Sequence, residues 1–209
     1  MIATDGPGGT ESDNGALVLV VGPSGAGKDS LIDIARSMLG RDPRFVFPTR
    51  MITRRADSGG EQHVEISASA FEQMRKSGAF FLSWQAHGHG YGLPAVIEKH
   101  LDSGRVVVVN VSRSVIEQAR AKTPRVSVVH VTAPKDVVAA RLKGRNREQD
   151  DEIEERLSRY EGDAPVPEAA ITIDTRDPGR DALEMAALRL VSFLSSATGS
   201  SSSGPVTRR

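Results

Sequence analysis

Gly22-Pro23-Ser24-Gly25-Ala26-Gly27-Lys28 is the stretch whose reading decides the fold. The apolar run Ala16-Leu17-Val18-Leu19-Val20-Val21 precedes it, and a helical pattern follows. Strand, glycine-rich turn and helix form the setting in which G-x-x-x-x-G-K marks a phosphate-binding loop. Glycines let backbone N–H groups turn inward toward a polyphosphate. Lys28 adds a cation near the β- and γ-phosphates, and the helix N-terminus adds donors and a favourable dipole. Gly22 to Ser30 therefore reads as a nucleoside triphosphate site, with ATP expected. The pattern usually closes on a Ser or Thr hydroxyl that holds Mg²⁺. Here Asp29 follows the lysine, and Ser30 comes next. A carboxylate at Asp29 suits a hard cation directly or through its water shell; Ser30 is the alternative ligand.

Working outward, Leu31, Ile34, Ala35, Met38 and Leu39 recur at helical spacing, with Leu31, Ile34 and Met38 expected in the core. Gly40 is a stop signal. Phe45-Val46-Phe47 reads as a short strand. Residues 49–91 break the strand–helix alternation, with a short strand at Val64-Glu65-Ile66 and a helix from Ser69 to Ser77. They suggest a small lobe inserted into the main sheet. Pro94 is expected to open a helix that Gly104 ends. Val106–Val111 and Val126–Val131 are continuous apolar runs, the pattern of parallel strands buried on both faces. A helix begins at Pro134, Ile171-Thr172-Ile173 reads as a last strand, and Leu183, Ala187, Leu190 and Leu194 form the stripe of a final helix. Alternation of this kind specifies an α/β fold: a parallel sheet flanked by helices, with the ligand site at the carboxyl ends of its strands.

Bulk properties narrow the function classes. The chain has 209 residues, 27 Lys+Arg against 27 Asp+Glu, and no cysteine. That length suits one α/β domain with an inserted lobe. Zero net charge gives no sign of a nucleic-acid binder. Lack of cysteine excludes disulfides and thiol chemistry and fits a cytoplasmic home. No apolar run approaches the roughly 20 residues of a membrane span. The expected organisation is a disordered start over 1–15, a folded domain over 16–194 and a disordered Ser/Gly-rich tail over 195–209. The inserted lobe is placed at about 48–93.

Arg141, Arg145, Arg147, Arg156 and Arg159 surround one polar segment. Phosphoryl transfer needs cations where charge spreads over the transferring oxygens. The same pattern also fits a solvated helix face pairing with Asp150, Asp151, Glu152, Glu154 and Glu155. Arg141-Leu142-Lys143-Gly144-Arg145, Ile153 and Arg156-Leu157 resemble the lid of guanylate kinases, and Gly22 to Lys28 resembles that family's phosphate loop. The resemblance spans about Ala16 to Leu190. It implies a P-loop kinase with an acceptor-binding lobe and an arginine lid at about 143–151. Arg141, Arg145 and Arg156 would be lid arginines acting with Lys28. Arg54 and Tyr91 would hold an acceptor phosphate, with His63 standing where the family has another tyrosine.

Departures from the family are informative. Its acidic residue before the lobe tryptophan, which meets guanine, is Ser83 before Trp84 here. A second acidic region reads Val109-Asn110-Val111, and an arginine of the phosphate clamp is replaced near Asp57. Sites built to pair a base edge discriminate strongly, so guanine reading is not expected. Gly-Lys-Asp-Ser, Ile52-Thr53-Arg54, Gly59-Gly60-Glu61 and Ser83-Trp84-Gln85-Ala86-His87-Gly88 resemble one branch, the ribose 1,5-bisphosphate phosphokinases of bacterial phosphonate breakdown. That resemblance implies transfer from ATP, with Mg²⁺, to the 1-phosphate of a base-free sugar bisphosphate. It implies small-molecule partners only, without nucleic acid or membrane. The rivals are a guanylate kinase and a non-catalytic guanylate-kinase-like module. His87 and His89 read as a functional turn before a metal pair. Trp84 reads as lobe core, and His100 and His130 as structural.

Overall fold

The computed structural model describes residues 15–55, 62–144, 166–177 and 179–198. Its centre is β1 (Ala16–Val21), every residue of which is buried. Parallel neighbours β7 (Val106–Asn110) and β8 (Val126–Thr132) flank it. β2 (Phe45–Val46) adds beyond β7 and β9 (Ala169–Asp174) beyond β8, giving the all-parallel order β2-β7-β1-β8-β9. A strand covered on both faces has no polar face, which explains the unbroken apolar run.

Two cores follow from the alternation along β1. Ala16, Val18 and Val20 face one cluster with Leu31 and Ala35 of α1 (Lys28–Leu39) and Leu190 and Leu194 of α6 (Arg180–Thr198). Leu17, Leu19 and Val21 face the other. That second cluster takes in Ile97 and Leu101 of α3 (Ile97–Asp102), Ile116 and Ala119 of α4 (Ile116–Arg120), and the inner face of a second sheet.

The second sheet has the order β4-β3-β6-β5. β3 is Met51–Ile52, β4 Val64–Glu65, β5 Phe80–Ala86 and β6 His89–Pro94, and α2 is Ala68–Lys76. β5 and β6 form a hairpin closed by His87 (φ 50°) and Gly88 (φ 73°). Two consecutive left-handed residues match the twist of the flanking strands, so the His87-Gly88 pair is a turn device. Ile52, Leu82, Trp84, Tyr91 and Leu93 bury this sheet against β1 and β7.

Several expectations change. Met38 is 46% exposed, while Ile32 is buried with Leu31 and Ala35. The buried stripe of α1 centres between Ala35 and Leu39, leaving Met38 at its margin and Ile34 only partly covered. Pro94 ends β6 instead of opening a helix; α3 starts at Ile97. On β6 the two-residue β3 reaches only Tyr91 and Gly92, so no ladder bond is lost at Pro94 on that side. The Gly15 N–H donates to the Leu101 carbonyl, and α6 runs on through Thr198, past the expected domain end at 194. Residues 1–14 and 199–209 lie outside the described residues, as do Arg145, Arg156 and 145–151 of the expected lid. α5 (Lys135–Gly144) carries Arg141 up to that boundary. Among the described residues, no helix is long and apolar enough to cross a membrane.

Candidate active site

The site forms where β1, β7 and β8 end together. Register pairs Val20 with Asn110 and Val21 with His130, so these side chains flank the start of the phosphate loop. Gly22 leaves the strand at φ 146°, and a Cβ there would stand 2.0 Å from the Val131 carbonyl oxygen. Only glycine permits that approach. The loop ends at Gly27, which caps α1 without any side-chain capping bond. The first amides of α1 are therefore left to an anion. Lys28 Nζ donates to the carbonyls of Gly22 (2.9 Å) and Pro23 (2.7 Å), which holds the ammonium across the mouth of the loop.

Thr175, 4% exposed, stitches the loop to the sheet. Its hydroxyl donates to the Ala26 carbonyl at 2.7 Å and lies 3.2 Å from that of Thr132. Arg141 reaches the same point, donating to Thr175 Oγ1 (3.1 Å) and to the Thr175 carbonyl (2.5 Å). Arg141 is thus brought to the phosphate loop, and Thr175 joins the two. Beneath the loop, His130 is 4% exposed, and its Nε2 lies 3.0 Å from Arg113 Nη2. Burial, then the Arg113 charge and then Lys28 hold its pKa below the ordinary histidine value. His130 is a neutral acceptor for the arginine, a structural role.

On the other side of the loop an open cleft is lined by Asp29, Asp33, Pro48, Arg50, Gln62 and Asn110, among others. Asn110 Nδ2 donates to Asp29 Oδ1 at 2.6 Å, and the Asn110 carbonyl accepts from Arg50 Nη1 at 2.7 Å. Arg50 is 7% exposed and lies over two rings, 5.8 Å from the centre of Trp84 and 5.5 Å from that of Tyr91. The rings stack at 5.4 Å with an 8° interplanar angle. Trp84 is buried in the lobe, as its sequence reading held, and Tyr91 is buried beside it. The Thr53 hydroxyl accepts from the Gly90 N–H, which ties the turn before Arg54 to the hairpin. Arg54 Nε is buried without a hydrogen-bond partner among the described residues, an unsatisfied donor beside the lobe. His63 Nε2 lies 3.0 Å from the Arg54 carbonyl, so His63 braces that segment.

Asp29 and Ser30 fit a hard cation in donor type, since both offer oxygen on the first turn of α1. Among the described residues no cluster of three or more acidic or histidine ligands forms.

Sequence reasoning missed Arg50, Asn110 as a partner of Asp29, and Thr175. Arg50 carried a weak signal, being a charge beside the apolar Met51-Ile52. Thr175 carried none.

A phosphate loop on a parallel sheet, beside a cleft whose wall carries Asp29 and Asp33 together with Arg36 and Arg50, defines a P-loop phosphotransferase fold. Comparison with known proteins agrees. The family model described as guanylate kinase matches residues 14–190. A ribose 1,5-bisphosphate phosphokinase of Methylobacterium radiotolerans is 46% identical over 180 residues, 86% of this chain and 97% of that protein. One from Rhodopseudomonas palustris is 45% identical over 174 residues, covering 82% and 88%. A bifunctional ribose 1,5-bisphosphokinase-thymidine phosphorylase of Roseobacter denitrificans is 43% identical over 76% of this chain, which spans 24% of that protein. A crystal structure of guanylate kinase from Anaplasma phagocytophilum superposes with a TM-score of 0.63 over 90% of this chain and 88% of that one, at 17% identity, which speaks for the fold. The chain belongs to the guanylate kinase family and, within it, to the branch of these ribose 1,5-bisphosphate phosphokinases.

Proposed function

We propose that the chain transfers the γ-phosphoryl group of ATP to the 1-phosphate of ribose 1,5-bisphosphate, giving 5-phosphoribosyl 1-diphosphate, as a cytoplasmic step of phosphonate breakdown. The observation that carries this reading is the acceptor cleft itself. By the resemblance, Ser83 and the Val109-Asn110-Val111 region fall where guanylate kinases present base-reading carboxylates. Arg50 on its ring platform lies in the wall of the cleft, and Arg54, four positions on, has a buried Nε without a partner among the described residues. Such a cleft suits a small anion with two phosphates and no base.

The residues act by position and charge. The acceptor phosphate is already an anion at neutral pH, so no base is required. Loop amides and Lys28 receive the β- and γ-phosphates once Lys28 leaves the Gly22 and Pro23 carbonyls. Arg54, Arg50, His63 and Tyr91 form the acceptor side, Arg54 and Arg50 by charge, His63 and Tyr91 by bracing. Arg141, with Arg145 and Arg156, supplies cations over the transferring group and excludes water. Asp29, with Ser30 as alternative, would hold Mg²⁺, which neutralises charge on the phosphates when bound. Turnover with Mg-ATP is tested by following ADP with ribose 1,5-bisphosphate or GMP as acceptor, and by phosphorus NMR of the product. A diphosphate on C1 is expected. Turnover with GMP alone would overturn the reading, and no turnover with either would favour a non-catalytic module.

A further inference from the structure

Asn110 joins the two halves of the site. Its side-chain amide donates to Asp29 on the phosphate-loop helix, and its carbonyl accepts from Arg50 of the lobe. All three residues line one cleft. Neither the loop motif nor the lobe motif asks for an amide at the end of β7; the geometry does. Asp29 has replaced a hydroxyl, and its carboxylate accepts hydrogen bonds only. A carboxylate at position 110 would face it as a second anion, whereas an amide donates to it. A charge-assisted bond of 2.6 Å fixes the direction of the Asp29 oxygens. Because Asn110 spends its backbone oxygen on Arg50, the same residue registers the lobe against the loop.

We propose that Asn110 is a positioning residue of the transfer site, which orients the Asp29 carboxylate toward the nucleotide's divalent cation while seating Arg50 at the acceptor side. Asp29 and Asn110 then act as one unit. The metal role of Asp29 rests on the function proposed above, so the test reads donor binding without any acceptor. Calorimetric titration measures how much Mg²⁺ tightens ATP binding in the full chain. Asn110→Ala is expected to reduce that tightening about tenfold, the worth of one hydrogen bond to a charged group. In an Asp29→Ala background the same change is expected to matter less than about twofold, because a residue acting through Asp29 has nothing left to orient. A tenfold loss in both backgrounds, or none in either, overturns the proposal. Asn110→Leu, close to asparagine in size and without a donor for Asp29, carries the same cycle if the alanine variant does not fold. A wild-type protein that binds Mg-ATP yet ignores ribose 1,5-bisphosphate would end the proposed function and leave this cycle readable.

Discussion

Arg50→Ala removes a guanidinium that is 7% exposed, donates to the Asn110 carbonyl at 2.7 Å and covers the stacked Trp84 and Tyr91 rings. The hydrogen bond from a charged donor is worth about 1.5–3 kcal/mol. Cation–π contact in a desolvated setting adds about 2 kcal/mol. Against these stands the desolvation of a buried charge, which the variant no longer bears. A net destabilisation of about 2–4 kcal/mol follows, and for a chain of this size each kcal/mol lowers the melting temperature by about 2–4 °C. Differential scanning calorimetry should therefore show a fall of about 5–15 °C. In steady-state assays the KM for ribose 1,5-bisphosphate should rise about 10–100-fold, with the KM for ATP within about twofold. Arg50→Lys separates charge from shape. Lysine keeps the charge but lacks the planar face that stacks, so it should recover less than half of either loss. Full recovery by lysine would refute the ring-platform argument. An unchanged melting temperature together with an unchanged acceptor KM would refute the assignment of Arg50 altogether.

Lys28→Ala should abolish transfer while costing about 1.5–3 kcal/mol in a melting experiment, since the charged bonds to Gly22 and Pro23 are offset in part by relief of the ammonium's desolvation; retained activity would show the loop is misassigned. Thr175→Val removes the hydroxyl between the Ala26 and Thr132 carbonyls and one of the acceptors of Arg141, leaving the Thr175 carbonyl, so calorimetry should show about 1–3 kcal/mol of destabilisation and kinetics a raised KM for ATP. His130 gives a pH signature. Its folded pKa lies below the unfolded value of about 6.5, so the unfolded chain binds the extra proton first and stability falls as pH drops below that value. Melting temperatures between pH 5 and pH 8 should drop more steeply on the acid side for the wild type than for His130→Asn, and parallel curves would contradict the buried neutral histidine.

Much of the architecture was legible because its signals are local. An apolar run ending in Gly22 to Lys28 can serve as little else than a buried strand feeding a phosphate loop. Val106–Asn110 and Val126–Thr132 announced their place in a parallel sheet by having no polar face. The final helix showed its buried stripe, and Trp84 its place in the lobe. Local signals were weaker at margins. Met38 fits the helical spacing as well as Ile32 does, and only the direction from which the sheet approaches α1 decides between them. Pro94 is a fair helix opener in isolation, but pairing with Phe80 extends β6 to it.

By itself, then, the sequence determined the fold class and the phosphate loop, since these rest on residue type and short spacing; the absence of base-reading carboxylates was implied only by the resemblance to guanylate kinases. Tertiary structure alone decided which residues complete the site. Asp29 and Asn110 are 81 positions apart, Arg50 and Asn110 60, and Thr175 and Ala26 149. Their pairings arise because parallel strands end together at one edge of the sheet, a convergence that no spacing along the chain records.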